Sequence, residues 1–138
     1  MPAVARKQPF RLTSPTIREH PLHKQIADVL AREIAPAGRV SAHGVMWFSI
    51  DHADFAGVAA TRIGRGVIAG LPDLFILWLG EVYLIEIKAD DGIASAAQRS
   101  IIAGAIYSGC RVAVARDARD VLVIVDAWRI PRAGRTHL

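Results

Sequence analysis

Two nearly unbroken apolar runs, Leu74–Leu79 and Val82–Ile87, stand either side of Gly80-Glu81, and this pairing limits the possible folds more than any other part of the chain. Runs of this length are far too short to cross a bilayer. A glycine-containing break between them predicts a tight hairpin of strands buried on both faces, which places the pair at the centre of a sheet.

The surrounding pattern supplies the other elements. Leu22, Ile26, Val29, Leu30 and Ile34 recur at helical spacing and are stopped by Pro36 and Gly38, so an amphipathic helix is predicted from about Pro21 to Ala35, with Pro21 in its first turn. Val45–Ile50 has strand length and aromatic content. Phe55–Gly70 is rich in small residues and reads as a short helix running into a loop. Ser95 with Gln98 is a capping-box pattern, followed by an apolar stripe of Ile101, Ile102, Ala105 and Ile106 that Gly109 closes. Val112–Ala115 reads as a core strand. Val121–Val125 is β-branched enough for a strand, yet Asp117 and Asp120 resemble caps and Trp128 lies one turn beyond Ile124, which favours a helix.

A chain of 138 residues that is 52% hydrophobic can bury one substantial core, and a single domain over 17–130 is expected. Residues 1–16, with Arg6, Lys7 and Arg11 among prolines, read as a flexible basic arm, and 131–138 as a basic tail that continues from Arg129. No apolar stretch follows the first basic residues, so neither a signal peptide nor a membrane span is expected. The net charge of +4 and isoelectric point near 9.8 favour polyanionic partners without singling them out. Cys110 is the single cysteine, which excludes an intramolecular disulfide and a cysteine-rich zinc site and suits a cytoplasmic setting.

The chemistry gathers at the hairpin. Asp73 follows Gly70-Leu71-Pro72 at the start of one strand, while Glu86 and Lys88, two apart, share a face near the end of the other. Two carboxylates and an ammonium are thereby expected at one edge of an apolar sheet, where an unpaired charge forfeits several kcal/mol of hydration. A divalent cation would satisfy both acids. Mg²⁺ prefers oxygen donors and keeps several waters, so Asp73, Glu86, the backbone carbonyl of Ile87 and a scissile phosphate oxygen form a sensible set, with Lys88 placed to orient or help deprotonate an attacking water. Taken alone, the Glu-Ile-Lys triplet is better explained as a same-face ion pair at a strand end, with Asp73 capping a turn after Pro72.

The longer pattern joins Gly70-Leu71-Pro72-Asp73-Leu74, Ile85-Glu86-Ile87-Lys88, and Gly92, Ser95 and Gln98. It resembles the virus-type replication-repair nuclease (VRR-NUC) family of the PD-(D/E)XK superfamily, and the likeness runs more loosely from about Glu19 to Trp128. Arg62-Ile63-Gly64-x-Gly66 also looks like the family's linker into the Pro-Asp motif. The resemblance implies an α/β fold with a restriction-endonuclease-like core, a mixed central β-sheet flanked by α-helices. It further implies Asp73 and Glu86 as metal ligands, Lys88 as the catalytic lysine, Gln98 beside the site, and Glu19 as the acidic residue of the first helix. Pro21 biases His20 away from helical geometry, which would leave Glu19 just outside that helix.

Other signals carry less. Gly64-Arg65-Gly66-Val67-Ile68-Ala69 matches a dinucleotide-binding string, but Gly70 and Pro72 forbid the helix that such a site needs. Arg62 and Arg65 on this loop, with Ser95 and Arg99 at the start of the following helix, are candidate DNA-phosphate contacts. His20 and His23 straddle Pro21 without a third ligand nearby, which speaks against zinc. Cys110 reads as a small core residue.

The expectation is therefore an Mg²⁺- or Mn²⁺-dependent endonuclease, hydrolysing phosphodiester bonds of DNA in a bacterial or phage-infected cell. By analogy with single-domain relatives it would act as a homodimer on branched substrates such as Holliday junctions. The rival is a DNA-binding or assembly module that keeps the nuclease fold without its chemistry.

Overall fold

The computed structural model describes residues 15–50 and 64–134. Most of the stretch read as a short helix and loop lies outside them. Among the described residues, four strands form one mixed sheet in the order β1-β2-β3-β4: β1 (Met46–Ser49), β2 (Leu74–Trp78), β3 (Glu81–Ile87) and β4 (Arg111–Ala115). The first two pairings are antiparallel and β3–β4 is parallel. The molecule is thus of the mixed α/β class, with β2 and β3 central as the apolar runs require.

The hairpin turn falls one residue earlier than expected. Glu81 pairs with Trp78, so the turn residues are Leu79 and Gly80, both at positive φ (51° and 77°). A two-residue loop of this kind follows the right-handed twist of its strands, and twist matching overrides the side-chain preference of Leu79. Leu79 is exposed and packs on little, so Leu79→Asn removes an αL penalty at no packing cost. Thermal denaturation is expected to show a gain of roughly 0.5–1 kcal/mol.

Helix α1 (Pro15–Glu33) starts six residues before the expected position and carries Pro21 in its interior. A proline removes one intrahelical bond and disfavours helix in the residue before it, but it does not forbid a helix on its N-terminal side. Glu19 is consequently on α1 rather than outside it, and Pro15 and Thr16 belong to the helix rather than to an arm. Ile26 and Leu30 project from α1 onto the sheet face bearing Trp47, Leu74, Ile76, Tyr83, Ile85 and Ile87. The Trp47 indole N–H donates to the Ala35 carbonyl at 2.6 Å, tying β1 to the end of α1.

Helix α2 (Ala96–Tyr107) links β3 to β4. It opens with the complete Ser95/Gln98 capping box. It closes on Gly109 at φ 98°, with Gly109 N–H bonded to Ile106 O and Cys110 N–H to Ala105 O, the Schellman arrangement. Its apolar stripe does not enter the core: no α2 residue is buried, Ile101, Ile102 and Ala105 are only partly covered, and Ile106 is exposed. Likewise β4 is an edge strand with Ala115 alone buried, because it pairs on one side only.

The ambiguous segment is helical. Helix α3 (Ala118–Ala127) is capped by Asp117, which accepts from the Asp120 N–H, and it buries Val121 and Val125. Ile130 completes the core. Arg132 forms a forked pair with Asp126 (2.8 and 2.9 Å) and also bonds Glu33 of α1. The Asp126 hydrogen bonds, ahead of the other contacts, hold its guanidinium above the usual arginine pKa. Arg132 is therefore part of the packed structure and is not available as a basic-tail contact.

Candidate active site

The backbone at the end of the hairpin explains why Pro72 and Asp73 stand together. Continuing the β2–β3 register two residues past Leu74–Ile85 sets Pro72 opposite Ile87. A proline has no N–H to give, so it cannot extend the ladder to the Ile87 carbonyl. The Asp73 carboxylate takes over the other half of the exchange, with Oδ2 accepting the Ile87 N–H at 2.8 Å. Both polar groups of a strand residue point to the same neighbour, so the Ile87 carbonyl is turned towards the Asp73 edge. The Asp73 main chain faces the other way and accepts from Ile50 N–H at 2.9 Å.

Asp73 and Glu86 are 7% and 2% exposed, the buried charged residues among those described. Glu86 alternates onto the face opposite Ile85 and Ile87, beneath the start of α2. Its Oε1 accepts from the Gln98 side-chain N–H at 2.8 Å and lies 3.8 Å from Lys88 Nζ. The capping box fixes the sense of that amide: Gln98 Oε1 already accepts the Ser95 N–H, so the NH₂ group is turned to Glu86. Gln98→Glu would preserve the cap while replacing a donor with a second carboxylate against Glu86. Thermal melts at neutral pH are expected to show a loss of about 2 kcal/mol.

The loop beyond Lys88 is held by a residue that the sequence reading did not single out. Arg116 donates to the carbonyls of Ala89, Asp90 and Gly92, and its own N–H is taken by Asp120. Gly92 leaves room for the Lys88 stem, since a Cβ there would come within 3.2 Å of Lys88 Cδ. Arg116 followed by a helix cap was the available signal, but nothing local indicates that its partners lie some 25 residues earlier.

The other candidates are placed unevenly. Arg65 is exposed in the turn after Gly64, Arg99 is exposed and donates to Ala94 O at 2.7 Å, and the Ser95 hydroxyl is occupied as the helix cap. Arg62 lies outside the described residues, as does the side chain of Glu19. His23, set aside with His20 in the sequence, comes up against the site: its Nε2 is 4.0 Å from Asp73 Oδ1. The signal was present, because His23 continues the buried Ile26–Leu30 stripe of α1 one turn towards Glu19. Among the described residues, no three His, Cys, Asp or Glu side chains already form a metal-holding group.

Buried acids of this kind suit a hard dication, which takes carboxylate and carbonyl oxygens and fills its remaining positions with water. No protein-family model, curated protein or solved structure matches the chain. No described helix is long and apolar enough to cross a membrane.

Proposed function

We propose that this chain is a metal-dependent DNA nuclease of the VRR-NUC type, with a PD-(D/E)XK core. The observation that carries the reading is the buried Asp73 and Glu86 pair at the end of the central hairpin, with Lys88 beside Glu86. Two buried acids and a lysine gathered at one hairpin end are a donor set that suits a divalent cation.

Asp73, Glu86 and the Ile87 carbonyl would hold the ion, with Glu19 of α1 a further candidate acid. A bound Mg²⁺ or Mn²⁺ would supply Lewis-acid polarisation of the scissile phosphate and an acidified water as nucleophile. Lys88 would orient the attacking water and offset charge developing on the phosphate oxygens. Gln98 fixes the Glu86 carboxylate, while Arg65 and Arg99, both exposed, would meet the DNA backbone. A homodimer would offer two such centres to a branched substrate such as a four-way junction, and the setting would be cytoplasmic.

The test is cleavage of labelled four-way junction, flap and linear duplex DNA with Mg²⁺ or Mn²⁺, comparing the native chain with Asp73→Ala and Lys88→Ala. Metal-dependent cutting lost in both variants supports the reading, and the ranking of substrates tests the branched-DNA assignment. Tight binding to DNA without cutting under either metal would replace it with the non-catalytic binding module.

A further inference from the structure

We infer that His23 supplies a nitrogen donor to the ion held at Asp73, making the centre a mixed nitrogen–oxygen site that favours a first-row transition dication over Mg²⁺. The inference rests on the nuclease reading and specifies its metal.

His23 carries an unsatisfied atom. His23 Nε2 is buried and has no hydrogen-bond partner among the described residues. Such an atom costs free energy unless something replaces its lost water. Asp73 Oδ1 is the acidic atom facing it, but at 4.0 Å the pair is too far apart for a hydrogen bond. The same separation fits a shared ion. Protein nitrogen and oxygen donors sit roughly 2.1 Å from a small dication, so two donors of one ion can be up to about 4.2 Å apart.

Position supports the pairing. His23 lies on the N-terminal continuation of the stripe that Ile26 and Leu30 bury against the sheet, so α1 is anchored one turn away and the imidazole is held at the hairpin end. Asp73 Oδ2 is committed to the Ile87 N–H, which fixes the carboxylate with Oδ1 towards His23. Imidazole nitrogen is a poor ligand for Mg²⁺ and a good one for transition ions, so its presence shifts the preference of an otherwise all-oxygen site.

The test uses the full chain loaded with Mn²⁺ alone. Electron spin-echo envelope modulation should detect a directly bound ¹⁴N in the native protein, and this signal should vanish in His23→Gln and His23→Ala. In metal titrations both variants should bind Mn²⁺ about tenfold more weakly while Mg²⁺ binding changes less than about twofold. Asp73→Asn is the control for the centre itself. If Mn²⁺ binding depends on Asp73 but shows no nitrogen coupling, or shows one that survives both His23 substitutions, the His23 assignment is overturned and the nuclease reading stands. If Mn²⁺ fails to bind, or binds equally well to Asp73→Asn, both fall together.

Discussion

On the proposed nuclease reading, Asp73→Asn and Lys88→Ala are each expected to lower kcat for DNA cleavage about a thousandfold, close to 4 kcal/mol of transition-state stabilisation. The two losses should not add, because the acid and the lysine serve one displacement; the double variant should be scarcely slower than either single one. Their effects on folding should differ. In Asp73→Asn the side-chain amide keeps an oxygen able to accept the Ile87 N–H, so the variant should retain the hairpin-end contact and fold. Lys88→Ala instead leaves Glu86 without the ammonium 3.8 Å away and should melt earlier. Cleavage rates and denaturation curves measured on the same samples separate chemistry from folding. A stable Asp73→Asn variant that cuts DNA at the native rate would remove Asp73 from the active site.

Gly70→Ala is expected to be the most disruptive alanine substitution among the described glycines, costing about 3 kcal/mol. A Cβ at this position would lie 2.7 Å from both the carbonyl carbon and oxygen of Ala97, and φ is +91°, where side chains are strained. Those neighbours are backbone in the first turn of α2, so no rotamer change relieves the contact. Either the Leu71-Pro72-Asp73 approach or the Ser95–Gln98 cap must move, and each carries a site residue. Metal binding should therefore weaken together with stability, whereas Gly134→Ala, also at positive φ but with open space around its Cβ, should cost less and leave metal binding intact. Denaturant unfolding and metal titration of the two variants make the comparison.

The hairpin and both helix caps were legible because their causes are local: unbroken apolar runs, a glycine at the turn, Ser95 spaced from Gln98, and Asp117 before an apolar repeat. The approach of Asp73 to the end of β3 was legible for the same reason, since strand parity and one short turn fix it. What was missed depended on contacts between distant parts of the chain. Nothing near Arg132 announces Glu33, nothing near Arg116 announces the carbonyls of the Lys88 loop, and His23 acquires meaning only when α1 is laid beside Asp73. The α2 stripe misled for the opposite reason, because helical periodicity records a preferred face without recording whether anything covers it. Pro21 misleads because its bias on the preceding residue is local and does not set a helix boundary.

The join between Glu33 and the segment after α3 has a bearing on the order in which the chain can be built. Arg132 reaches Glu33 across 99 residues, and Ala133 N–H bonds the Glu33 carbonyl at 2.7 Å. The α1 stripe shares its core with Val121, Val125 and Ile130, so during synthesis α1 leaves the ribosome long before those partners exist. The hairpin can zip meanwhile, since its contacts are near in sequence. A nascent chain would then carry formed strands under an uncovered apolar face, and release of the stretch around Ile130 would be the event that seals it.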